Sequence, residues 1–350
     1  LRIERFEASI GIDRLNKEIS GLSDVDFLHV RHVYPEFENW NMISLSRRVS
    51  EFRETLRLIA GKGLHLYKLE NSTSSFVGVN KLRDIWTAVE SGAMQYDENN
   101  VPYTWTAAPI RKREKLLVIF SSIANQPHQS SLKRHFEQNF ATLGKYIPQN
   151  TSILRIADLG GVNGGWYLNT NYLTNNFANV QALIRRQCSI HGIDIADTVF
   201  YGASKGGTAA LLHGMAMGAK VVAVDPIISD RLYVEQYDDL HFTVGNFPKT
   251  KDQLFEEVKA SYRPTNAGAI TVLYSDMSPQ FAFINERLRP WTMNSISYIN
   301  VSHPEIKDHP DVGPRSMSTT VMLINMKLHN LAVPVVTMDE PFGGKSPTTV

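Results

Sequence analysis

From Lys115 onward, apolar residues fall into short dense runs separated by longer stretches in which they return every three or four positions. The runs at 116–120, 152–157, 199–201, 219–224, 269–274 and 296–301 have the length and branched content of strands buried on both faces. The stretches between them, around 132–143, 180–188, from 209 and at 318–330, carry helical spacing. Strand alternating with helix predicts an α/β architecture, a mainly parallel sheet with helices on both faces. Residues 1–100 read differently. Positions 44–60 set Leu45, Val49, Phe52, Leu56 and Ile59 on one helical face, 64–69 alternate like a strand, and 81–91 suit a second helix. Positions 96–103 read as a turn between two strands. The chain is therefore divided into an N-terminal α+β extension, 1–100, whose scattered aromatics are assigned to packing, and an α/β domain, 101–350.

Composition narrows the partners. Thirty-six basic against 35 acidic residues leave a formal charge of +1 over 350 residues, so no global field selects nucleic acid or an anionic membrane. Cys188 is the single cysteine and excludes an internal disulfide; its helical setting makes it a core residue. No run approaches the ~18 apolar residues of a membrane span, and the first residues lack the apolar centre of a signal peptide. A cytoplasmic location is the expectation, with a peripheral position at the inner face of the membrane left open. The chain does not begin with methionine, so a removed leader is also left open.

The chemistry concentrates at Gly202-Ala203-Ser204-Lys205-Gly206, which follows Val199-Phe200-Tyr201 and precedes Ala209, Ala210, Leu211 and Leu212. Strand, Gly-x-Ser-x-Gly turn and helix together form a nucleophile elbow, in which the serine stands at a bend too tight for a Cβ two positions away. The helix N-terminus behind it favours a developing negative charge. A nucleophilic serine needs a histidine to take its proton and a carboxylate to orient that histidine, and on this fold they follow in the order serine, acid, histidine. Asp276, directly after the 269–274 strand, is the expected acid, and Asp225, after the 219–224 strand, is the alternative. His309, in the loop before the last helix, is the expected base, with His303 as the alternative. His303, Asp308 and His309 lack a third firmly spaced ligand, so no metal is expected. The oxyanion donors are assigned to the amide of Lys205 and to the loop after 116–120, at Ser122 or Ile123. The Lys205 side chain is read as a solvated surface group.

The Gly-rich segment 158–167 lacks Gly-x-Gly-x-x-Gly spacing and leads into an Asn/Thr-rich loop, which argues against a dinucleotide site. Its Trp166 and Tyr167 are candidates for stacking on a sugar ring, with loop packing as the other reading.

Phe120-Ser121-Ser122, Ile156-Ala157-Asp158 with its Gly-Gly-Trp-Tyr continuation, and the run from Tyr201 through Ser204-Lys205-Gly206-Gly207 to Gly214 resemble a group of bacterial α/β-hydrolase-fold proteins of surface glycan biosynthesis. The group includes XcbB/CpsF-type capsule proteins, capsule O-acetyltransferases and the acetyltransferase of the accessory secretion system. The resemblance covers roughly residues 100–330. It implies a Ser204, Asp276, His309 triad that moves an acetyl group to a polysaccharide or oligosaccharide acceptor. It also implies acetyl-CoA as co-substrate, no bound cofactor, and association with a capsule biosynthesis complex. A carbohydrate or small-ester esterase with the same triad, and a non-catalytic assembly protein on the same scaffold, are the alternatives.

Overall fold

The computed structural model describes residues 1–262, 269–289 and 296–338. Among these residues there are two sheets. The smaller is made of β1 (Ile3–Glu7), β2 (Phe27–Arg31), β3 (Leu64–Glu70) and β4 (Thr73–Gly78) in the order β1-β2-β4-β3. Alternation along these strands turns Leu28, Val30, Leu66 and Phe76 onto helices Ile12–Ser20 and Glu51–Gly61, where they meet Leu15, Ile19, Phe52, Leu56 and Ile59. The expected helix at 44–60 is thus interrupted. Met42–Leu45 and Glu51–Gly61 are separate helices, and Val49 lies in the turn between them. The expected helix at 81–91 is also two short ones, Leu82–Ile85 and Thr87–Glu90.

Among the described residues the larger sheet has eight strands. In chain order they are β5 (Gln95–Tyr96), β6 (Pro102–Thr106), β7 (Lys115–Phe120), β8 (Thr151–Ile156), β9 (Thr198–Ala203), β10 (Lys220–Val224), β11 (Ile270–Tyr274) and β12 (Ile296–Asn300). Their spatial order is β12-β11-β10-β9-β7-β8-β6-β5. The strands from β12 to β8 run parallel, and β5 and β6 pair antiparallel at one edge. One face buries Leu116, Val118, Phe120, Phe200, Val221 and Ala223 under helices Asn176–His191, Lys205–Met217 and Lys251–Ser261. The other buries Leu117, Ile119, Val199, Tyr201, Val222 and Val224 against Leu323, Ile324 and Leu328 of helix Met317–Leu328. Burial on both faces explains why these strands are unbroken apolar runs. The helix expected at 132–143 is not formed: only 3-10 turns at Leu132–His135 and Leu143–Lys145 occur there. Cys188 is buried, and burial pushes its thiol up to about 11.

The small sheet ends at Gly78, and the next strand already belongs to the large one. The far end of the 101–350 stretch, from 339, lies outside the described residues. Arg134 fastens the two parts. Its buried guanidinium donates to the carbonyl oxygens of Leu66 in β3 and of Gln129 and Ser131 in the loop after β7. Burial lowers its pKa to about 9, since carbonyl dipoles replace water without supplying an opposite charge. Asn41 adds a second tie, donating to the His128 carbonyl at 2.7 Å.

Candidate active site

Because β9 is central and parallel to its neighbours, the turn leaving it lies at the carboxyl end of the sheet, where loops converge. Ser204 has φ 56° and ψ −122°, an unusual conformation for a residue with a side chain, and its amide is held by the Val224 carbonyl at 2.9 Å. The flanking glycines are sterically required. A Cβ on Gly202 would run into the Gly206 carbonyl, and one on Gly206 into the Phe120 carbonyl. Helix Lys205–Met217 starts immediately after.

His309 reaches the hydroxyl. Its Nε2 lies 2.7 Å from Ser204 Oγ, and its Nδ1 lies 2.7 Å from Asp225 Oδ2. A carboxylate can only accept, so Nδ1 carries the proton and Nε2 is left to accept from the serine. The imidazole is positioned by its own backbone. Asp308 caps the short helix His309–Arg315, accepting from the His309 amide at 2.7 Å, and Asp311 completes the capping box. Asp225 is buried at the end of β10, with φ 41°, and its Oδ2 also accepts from Ser278 Oγ at 2.6 Å. Tyr233 stands nearby: burial and then the Asp225 carboxylate push its hydroxyl up.

Several expectations are corrected here. Asp276 is not the acid beside His309. It is exposed, and its amide turns to Asn300 Oδ1 at the end of β12. The reason is topological: β10 lies between β9 and β11, so the residue leaving β10 stands next to Ser204 while the loop leaving β11 is one strand farther. That loop still contributes, through Ser278. His303 is a turn residue whose Nδ1 accepts from the Glu305 amide at 3.2 Å. The Ser122 amide, expected to face an oxyanion, is taken by Asn139 Oδ1 at 2.7 Å. The Ile123 amide has no such partner among the described residues. The Lys205 amide opens its helix and has no carbonyl one turn behind it.

Lys205 is not a solvated surface lysine. Its side chain is 1% exposed and its Nζ lies 2.6 Å from Asp158 Oδ2, itself fully buried. Trp166 and Tyr167 are also fully buried, so neither can stack on a ligand. The Gly-rich segment instead wraps Asp158. Its Oδ1 accepts from the amides of Gly165 and Tyr167 at 3.0 and 2.9 Å, and its Oδ2 from Trp166 at 3.0 Å. A Cβ on Gly164 would strike that carboxylate. Trp166 underlies Lys251, whose Nζ is 3.8 Å from the ring centre. The Tyr167 hydroxyl donates to the Ile156 carbonyl at 3.0 Å and accepts from the Ser121 amide at 2.7 Å. One buried carboxylate thus connects the residue after Ser204, through Tyr167, to Ser121 in the loop after β7. Its sequence signal was an aspartate directly after a strand and ahead of a glycine cluster.

Among the described residues, no group of three or more His, Cys, Asp or Glu side chains could hold a metal ion, and no helix is long and apolar enough to cross a membrane.

No family model matches the chain, and no curated protein matches it in sequence. Solved structures do resemble it. The Glycosylation Associate Protein (Gap123) complex from Streptococcus agalactiae is 13% identical over 75% of this chain, with a TM-score of 0.49. The chain spans about half, 52%, of that structure's length. The capsule O-acetyltransferase of Neisseria meningitidis serogroup A is 14% identical over 67% of this chain and 93% of its own, with a TM-score of 0.47. A Staphylococcus aureus fluorophosphonate-binding serine hydrolase is 11% identical over 66% of this chain and 96% of its own, at 0.46.

Proposed function

We propose that this chain is an acyl-transfer enzyme of the α/β-hydrolase type, in which Ser204 is the nucleophile, His309 the general base and acid, and Asp225 the carboxylate that orients it. The reading rests on the unbroken run of hydrogen bonds from Ser204 Oγ through both nitrogens of His309 to Asp225, at 2.7 Å each. The resemblance of the elbow segment to proteins of surface glycan biosynthesis makes an O-acetyltransferase the more specific assignment. Its acceptor would be a sugar hydroxyl of a bacterial capsular or related polysaccharide, and its donor acetyl-CoA.

In that reaction His309 Nε2 takes the hydroxyl proton as Ser204 Oγ attacks the acetyl carbonyl. The resulting oxyanion is met by the amides of Lys205 and Ile123, each worth roughly 2.7–4 kcal/mol at the transition state. The carbonyl re-forms, the thiolate of the donor leaves and receives the proton from His309, and the acetyl group stays on Ser204. The acceptor hydroxyl then gives its proton to His309 and attacks the same carbonyl. Ser204 departs with that proton, and the acetylated sugar is released. Asp225 holds the imidazole in the required tautomer and stabilises its charged form in both halves. Hydrolase and transferase differ only in whether water or a positioned sugar takes the second half, and a bound acceptor wins through effective molarity.

The test is a product assay with acetyl-CoA, with and without a capsular oligosaccharide, on wild type and Ser204→Ala. Acetylated sugar that vanishes in the variant supports the transferase. Acetate released at the same rate regardless of acceptor assigns the chain to the esterases. Equal activity of variant and wild type removes the serine mechanism.

A further inference from the structure

A cavity of about 420 Å³ opens on the face of the small sheet turned away from its two helices. The strand register sets its chemistry. Arg5, His29, Ser75 and Lys68 stand in one row across β1, β2, β4 and β3, a row without a carboxylate. Glu7, Arg31, Thr73 and Glu70 form the adjacent row. A register shift between Leu66 and Lys68 places Tyr67 beside the first row, with its ring edge-on to Phe27 at 6.1 Å.

The two rows differ electrostatically. Arg31 faces Glu7 at 3.7 Å and Lys68 faces Glu70 at 2.6 Å, whereas Arg5 is exposed and has no ion pair among the described residues. His29 Nδ1 lies 2.9 Å from Ser75 Oγ at the middle of the first row. Burial and then the charges of Arg5 and Lys68 hold its imidazole below the usual histidine value. The carboxylates of the second row would repel a bare polyanion but accept hydrogen bonds from hydroxyl groups. The volume lies in the range of small-molecule sites, about 300–1,000 Å³, and exceeds what an inorganic anion fills.

We propose that this face is a binding site for a sugar bearing an anionic group, with its phosphate or carboxylate over Arg5 and Lys68. Its hydroxyls lie over Glu7, Thr73 and Glu70, and one face of its ring lies against Tyr67. The site is independent of Ser204 and would hold an acidic saccharide without reacting with it.

The experiment uses the full chain carrying Ser204→Ala, so that turnover plays no part. Glucose 1-phosphate, glucuronate, glucose and inorganic phosphate are titrated separately while the His29 imidazole signals are followed by NMR. Glucose 1-phosphate and glucuronate should both shift those signals, and should bind at least tenfold more tightly than glucose or inorganic phosphate. Arg5→Gln with Lys68→Gln should weaken both by tenfold or more. Arg5→Gln alone, at an exposed unpaired side chain, serves the same purpose if the double variant does not fold. Tyr67→Ala should weaken binding where Tyr67→Phe preserves it. Absence of any shift at His29 up to roughly tens of millimolar ligand overturns the proposal. So does inorganic phosphate binding as tightly as glucose 1-phosphate, which would mean an adventitious anion site only, and so does unchanged affinity in the Arg5→Gln chain.

Discussion

Replacing Asp158 with asparagine should weaken the fold more than any other single isosteric change near Ser204. The carboxylate accepts four hydrogen bonds, three from backbone amides and one from Lys205 Nζ, and is wholly buried with its partner. An asparagine keeps one oxygen for the Gly165 and Tyr167 amides, but turns an amide NH₂ towards the Trp166 N–H and the Lys205 ammonium. Two bonds become donor-to-donor contacts, and a buried positive charge loses its counter-charge. Removing one partner of a buried pair costs about 3–5 kcal/mol. Lys205→Met should cost less, about 1.5–3 kcal/mol, because the carboxylate keeps its three amides. The double variant should then be more stable than Asp158→Asn alone, since no unpaired ammonium remains. Urea unfolding of the four proteins measures this cycle. In native buffer, Lys205→Met should also lower kcat for p-nitrophenyl acetate about 100-fold with KM little changed, because the elbow amide would lose its anchor. The reasoning fails if Asp158→Asn stays within about 1 kcal/mol of wild type, or if the two substitutions simply add.

Other expectations follow from the same geometry. Asp225→Asn should reduce kcat about 10⁴-fold through the wrong imidazole tautomer, while Asp276→Asn should leave it unchanged; ester turnover by the two variants decides which carboxylate serves His309. Ser204→Gly should be more stable than Ser204→Ala by about 1 kcal/mol in urea, the reverse of the usual order, because at φ 56° only glycine is unstrained and both variants lack the hydroxyl. His65 and His213 are buried, and burial lowers their pKa to about 4 and about 3. The unfolded chain takes up these protons first, so this stability is complete above about pH 6.5 and drains away as pH falls towards 4. Unfolding free energy measured from pH 7 to pH 4 should drop accordingly, and less steeply in His65→Gln.

The large sheet was legible because its strands are buried on both faces and stand out as unbroken apolar runs. The elbow was legible because its glycines are required by contacts local to the turn. The small sheet was harder to see. Ile3–Glu7 and Phe27–Arg31 mix charged and apolar residues as half-exposed strands do, and resemble the charged helices around them. Asp276 and Asp225 follow strands in the same way, so their order in the chain could not separate them. The sheet order does, by seating β10 beside β9. Lys205 illustrates a different limit. Nothing local announces that its ammonium is buried, because its counter-charge lies 47 residues earlier, beyond the range of any local pattern. For Trp166 and Tyr167 the sequence allows either stacking or packing, and the structure shows packing, with both backbone amides held by the buried Asp158 carboxylate.

The most direct measurement is peptide-mapped mass analysis after brief exposure to a fluorophosphonate, on wild type, Ser204→Ala, His309→Ala and Asp225→Asn. A single covalent adduct on Ser204, lost in the first variant and formed at least 100-fold more slowly in the other two, is the predicted result. Modification at another residue, or equal labelling rates in wild type and His309→Ala, would contradict it.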